Sequence, residues 1–167
     1  MKDELDFNDV IGVRVRNKFS GIAGYVRSTF ESLTGFQWIA VQPPIKEGEN
    51  TEPKLIWSDI SDWELLKATR LSRPSPPDQP HQIFDLGSRL RDTVTGFTGI
   101  ATGRTTHFNH CVSYDLQSEK LKKEDGSTGA CESFQAPRLK PLDGTKVMKE
   151  VKPLPTGGAE TSPMKGV

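Results

Sequence analysis

Cysteine occurs only twice in the 167 residues, aromatic residues make up 8% and hydrophobic residues 34%, and neither sign of charge is in excess, with 22 Lys and Arg against 22 Asp and Glu. An apolar share this far below the roughly 45–50% of an average domain leaves no material for one large core, so two small cores joined by polar segments are expected. A net charge of zero removes the basic excess on which nucleic-acid and anionic-membrane binding draw. No run approaches the roughly 20 apolar residues of a membrane span, and Met1-Lys2-Asp3-Glu4-Leu5 is too polar for a secretory signal. The chain is expected to be soluble and made in a cytoplasm, with Cys111 and Cys131 as free thiols.

Catalytic signatures are equally scarce. There is no phosphate-binding Gly-rich loop, no Gly-x-Ser-x-Gly elbow and no carboxylate pair at a recognisable spacing. The densest chemical cluster is His107-Phe108-Asn109-His110-Cys111, with Cys131 downstream. It lacks the Cys-x-x-Cys or His-x-x-x-His spacing of a zinc site and is expected to be a turn beside a small thiol. Neighbouring residues on a strand point to opposite faces, so His110 is badly placed to activate Cys111. The expectation is a protein that is not an enzyme and holds no metal or cofactor.

What the chain does carry is a repeat. Ile11-Gly12-Val13-Arg14-Val15-Arg16 recurs as Leu86-Gly87-Ser88-Arg89-Leu90-Arg91, an offset of 75 residues that also pairs Ser20-Gly21 with Thr95-Gly96, Gly24 with Gly99 and Gln42 with Gln117. Each copy reads as β. Alternating apolar and charged residues open it, a Ser-Gly or Thr-Gly turn follows, and Gly24 or Gly99 marks a bend or a close backbone approach. Further strands are expected at Tyr25–Phe30, Phe36–Val41, Leu55–Trp57 and Trp63–Leu66, and at Ile100–Thr105, Cys111–Leu116, Ala130–Phe134 and Arg138–Leu139. The polar stretches 43–53 and 118–129 supply turns. Around Ile60, a turn followed by a strand is preferred to a helix, although Ser61-x-x-Glu64 matches a capping box.

The opening Gly12-x-x-Val15 or Gly87-x-x-Leu90, with glycines at 21 and 24 or 96 and 99, resembles the first two strands of SH3-like barrels of the KOW and Tudor type. The expected fold is all-β: two tandem small SH3-like barrels at 8–68 and 83–142, a Pro-rich linker at 69–82 and an extended tail at 143–167. Pro74, Pro76, Pro77 and Pro80 favour a semi-rigid spacer, and the tail has too few apolar residues to fold by itself.

One candidate binding surface is Arg89, Arg91 and Arg104 with Tyr114 as a stacking ring, joined in the first copy by Arg14, Arg16, Arg27, Trp38 and Trp57. The competing expectation, favoured by the neutral charge, makes the arginines a solvated face and Trp38 and Trp57 part of the core. Lys120, Lys122 and Lys123 are expected to be solvated.

Residues 86–105, continuing to Asn109-His110-Cys111-Val112, resemble a family of small proteins of tailed bacteriophages. The likeness lies in Asp92-x-x-Thr95-Gly96-Phe97-x-Gly99-Ile100-Ala101-Thr102, in the Asn109-x-Cys111-Val112 turn and in Thr156-Gly157-Gly158. His110 stands where that family tends to have Gly. The resemblance implies a viral origin and transfers no catalytic pattern. The expected role is a non-enzymatic virion protein, a capsid decoration or cement protein or a head–tail accessory, assembled in the host cytoplasm. Its partners would be the major capsid protein or other virion proteins, with self-association open and neither membrane nor nucleic acid expected. Residues 1–8 and 143–167 would be mobile until bound. The alternative is an intracellular phage protein that binds nucleic acid, a nucleotide or a host factor.

Overall fold

The computed structural model describes residues 4–122 and 124–146. In the first copy, β1 (Val13–Asn17), β2 (Ala23–Ser32), β3 (Gln37–Gln42), β4 (Ile56–Asp59) and β5 (Trp63–Arg70) pair antiparallel in the order β5-β1-β2-β3-β4. In the second, β6 (Ser88–Asp92), β7 (Thr98–His107), β8 (Val112–Gln117), β9 (Cys131–Gln135) and β10 (Leu139–Lys146) repeat that order as β10-β6-β7-β8-β9. A 3-10 turn joins the fourth strand to the fifth in each copy, at Ile60–Asp62 and Ala136–Arg138. The first turn is capped by Asp59, whose Oδ1 accepts from Ser61 N at 2.9 Å, and not through the Ser61–Glu64 box. The repeat offset holds through the third strand and then grows by one, since Trp38 faces Asp59 while Ser113 faces Gln135.

Local chemistry explains the matching elements. Val15 and Leu90 are fully buried between outward arginines, the period-two pattern of a half-buried strand. At the first turn Asn17 Oδ1 accepts from Phe19 N at 3.0 Å and Ser20 N at 2.9 Å, and Asp92 Oδ2 accepts from Thr95 N at 2.7 Å and Thr95 Oγ1 at 2.6 Å. Gly24 and Gly99 sit where the neighbouring strand presses closest: a Cβ on Gly99 would lie 2.6 Å from the Gln117 carbonyl oxygen, and one on Gly24 would collide with that of Gln42.

The two copies share one open ten-stranded sheet, because the second halves of β2 and β7 pair with each other. The register runs from Ser28 opposite His107 to Ser32 opposite Gly103, with Phe30 opposite Thr105 at its centre. Phe30 and Thr105 are 75 residues apart, equivalent positions of the repeat, so the junction is self-symmetric about that pair, as in an isologous dimer. Arg104 Nε donates to Glu31 Oε1 at 2.7 Å within it, and Leu33 N reaches Thr102 O at 2.7 Å just beyond.

Two cores result. Val10, Ile11, Val15, Val26, Ile39, Val41 and Trp63 form the first. Phe84, Leu86, Leu90, Ala101, Tyr114, Leu116 and Leu139 dominate the second. Leu5 and Phe7 pack against the first, so the N-terminal arm from Leu5 is docked where a mobile end was expected. Strand β10 runs to Lys146, four residues into the expected tail; residues 147–167 lie outside the described ones. The start of the Pro-rich segment is also held: Arg73 donates to Phe108 O at 3.1 Å and His107 O at 3.0 Å, and His110 Nε2 lies 2.8 Å from Pro74 O.

Candidate interaction face

The side of the strands that turns away from the two cores continues from β4 through β3, β2, β7 and β8 to β9, with Ala40, Ser28 and Gly103 buried within it. Residues opposite one another in antiparallel strands project to the same side. The registers therefore align Asp59, Trp38, Phe30, Thr105, Ser113 and Gln135 in one row across six strands. At about 4.8 Å per strand the row is roughly 24 Å long. Trp57, Ala40, Ser28 and His107 flank it on one side, and Ser32, Gly103, Asp115 and Ser133 on the other.

The row is symmetric in position and asymmetric in chemistry. Trp38 is 43% exposed and Trp57 41%, while their counterparts in the second copy are Ser113 and Ser133. Phe30 leans on Trp38 with ring centroids 6.2 Å apart, and its ring covers Gly103, where a Cβ would meet Phe30 Cε2 at 2.5 Å. A shallow pocket bounded by His107, Cys111, Ser113, Ser133 and Gln135 indents the second half. Two carboxylates lie on the face, Asp59 and Asp115, and neither makes an ion pair among the described residues. The cations carried by the six strands are engaged elsewhere: Arg27 lies 4.3 Å over the Phe108 ring, and Arg104 turns to the core side to meet Glu31.

The surface expected around Arg89, Arg91, Arg104 and Tyr114 is not assembled. Arg89 and Arg91 flank inward Leu90 and point outward, Arg89 to Glu119 at 2.7 Å and Arg91 into solvent. Arg104 projects to the other side, donating to Glu31 and to Phe84 O at 3.3 Å. Tyr114 is fully buried; its hydroxyl accepts from Phe84 N at 2.8 Å and donates to Phe84 O at 3.1 Å, leaving no ring face for a base.

Trp38 and Trp57 correct the opposite expectation. They are not core, because Ile39 and Val41 already take the inward positions of β3 and Trp63 fills the first core, its Nε1 donating to Ser58 Oγ at 2.6 Å. Alternation within Gln37–Gln42 was the available signal, since an inward Ile39 requires an outward Trp38.

The histidine and cysteine cluster is dispersed. Ser28 Oγ lies 2.9 Å from His107 Nδ1 across the junction between copies, and burial pulls the His107 pKa down. His110 has φ +68°, the left-handed conformation that its counterpart Gly35 also adopts. Both thiols are free, and burial pushes that of Cys131 up. No three His, Cys, Asp or Glu side chains among the described residues are grouped to hold a metal ion. No described helix is long and apolar enough to cross a membrane.

Comparisons of the chain with family models, with characterised proteins and with solved structures return no match.

Proposed function

We propose that each copy is a small SH3-like barrel and that the fused pair is a non-enzymatic docking module of a bacteriophage virion, a capsid decoration or cement protein or a head–tail accessory. The observation that carries this reading is the six-strand outer face, which presents two half-exposed tryptophans on a scaffold made of paired β-strands. Large exposed aromatic side chains on a rigid surface supply contact area at little entropic cost and mark interaction sites. The strand order in each copy, with the last strand beside the first and a 3-10 turn before it, supports the barrel reading. The phage assignment rests on the resemblance of residues 86–112.

Mass spectrometry of purified particles tests the role. A fixed high copy number relative to the major capsid protein is the expected result for decoration or cement, and a few copies would place the protein at the head–tail vertex. Absence from particles, with abundance in infected cells, would overturn the virion role in favour of an intracellular binder.

A further inference from the structure

We propose that the aromatic half of the outer face receives an extended, cationic segment of a partner protein, one guanidinium or ammonium group seated among Trp38, Trp57 and Asp59 and a second at Asp115. The inference rests on the docking role above and names the chemistry of the docked element.

Charge complementarity carries it. Asp59 and Asp115 are the carboxylates carried on this face, and neither makes an ion pair among the described residues; Asp59 keeps Oδ2 for a cation while Oδ1 accepts from Ser61 N at 2.9 Å. Asp59 stands opposite Trp38 in the ladder and follows Trp57 by two residues on the same side of β4, so a carboxylate and two indoles share one spot. Phe30 backs Trp38 from the next strand. Aromatic faces attract cations through the ring quadrupole, and an adjacent carboxylate adds a full opposite charge.

The same features disfavour other occupants. With Arg27 and Arg104 engaged elsewhere, the strands offer no free cation to a nucleic acid or another polyanion. A neutral oligosaccharide would stack on the indoles and use the hydroxyls of Thr105 and Ser113, yet leave both carboxylates uncompensated. From Asp59 to Asp115 is four strand spacings, roughly 20 Å, which an extended chain covers in about six residues.

The test titrates the full-length protein with a synthetic peptide carrying two arginines six positions apart in a Gly-Ser background, up to millimolar concentration, and reads tryptophan fluorescence. Trp63 is buried, so the change reports Trp38 and Trp57. Saturable binding is expected, weakened about tenfold by Asp59→Asn or Trp57→Ala, less by Asp115→Asn, and restored in part by Trp57→Phe. Asp125→Asn, in an exposed loop, should leave it unchanged. Circular dichroism separates lost binding from lost folding, and Asp59→Asn remains decisive if Trp57→Ala does not fold. An equal response to the peptide with glutamates in place of arginines, no saturable response, or indifference to Asp59→Asn overturns the inference, as does preferential binding of maltoheptaose. Peptide binding by a protein absent from particles would keep this inference and overturn the virion role; presence in particles without a peptide response would do the reverse.

Discussion

Asp92 and Arg138 meet through two parallel hydrogen bonds, Nε to Oδ1 at 2.9 Å and Nη2 to Oδ2 at 2.8 Å, and Asp92 is closed off from solvent by its own partners. The equivalent places in the first copy hold Asn17 and Asp62, so among the described residues only the second copy anchors its first turn with an ion pair. The hydrogen bonds of Arg138, against the cost of burial and helped by Thr95, hold the Asp92 carboxyl well below the usual carboxylate range. A lowered folded-state pKa stabilises the fold fully above the unfolded value near 4, and that contribution is lost as pH falls through the folded value. Asp92→Asn should lower the melting midpoint at pH 7 by several degrees and flatten its decline below about pH 4. Thermal melts of both proteins from pH 7 to 2 check this, and parallel acid profiles would contradict it.

Leu33 and Phe108 occupy equivalent positions beyond the paired halves of β2 and β7, and each lies against the core of the other copy. Leu33→Ala should cost about 2–4 kcal/mol, and Phe108→Ala, at a half-buried site, less. Native-state hydrogen exchange gives the sharper outcome. Leu33→Ala should speed exchange around Leu90 and Leu116 in the second core more than around Val15 and Val41 in the first. Faster exchange confined to the first core would show that the crossing contact carries no stability.

Neutral His107 is the form that suits the junction, since burial lowers its pKa where it meets Ser28. For a base with a lowered folded-state pKa, the stabilisation is complete above the unfolded value near 6.5 and is lost as pH falls below it. The melting midpoint should therefore drop by a few degrees between pH 8 and 5, and His107→Gln should remove most of that drop. An unchanged pH profile in the variant would place the acid sensitivity elsewhere.

Gly99→Ala sets a Cβ 2.6 Å from the Gln117 carbonyl oxygen, so backbone must shift to admit it. Overpacking of this kind costs about 1–3 kcal/mol, and more where backbone must give way. Urea denaturation should show the loss, with the same direction for Gly24→Ala in the first copy. A neutral result at both positions would mean that the strands separate locally at no cost.

Most of the strands were legible because Val15, Leu90, Tyr114 and Leu116 alternate with polar neighbours, and because a pattern seen twice is harder to mistake. The close-approach glycines were legible for the same reason. What escaped is the pairing of β2 with β7. Ser28-Thr29-Phe30-Glu31-Ser32 reads as an ordinary hairpin arm, since a strand's second edge is occupied through backbone groups that every sequence possesses. The consequences of that pairing escaped with it. Arg104 looks free until Glu31, 73 positions away, is brought opposite it, and Tyr114 looks available until Phe84 closes over it. The outward tryptophans follow from strict alternation, which the usual burial of tryptophan obscured.

The backbone pairing at a junction centred on equivalent positions is of the kind that two separate identical chains also make. Two identical chains, however, must carry the same side chain at both ends of every row: an indole at one end would mean an indole at the other. Joining the halves covalently releases that constraint. Trp38 and Ser113, and Trp57 and Ser133, are places where a twofold scaffold has become one-sided. The two ends of the fused chain's surface thus differ, and a partner laid across it would meet indoles at one end and hydroxyls at the other.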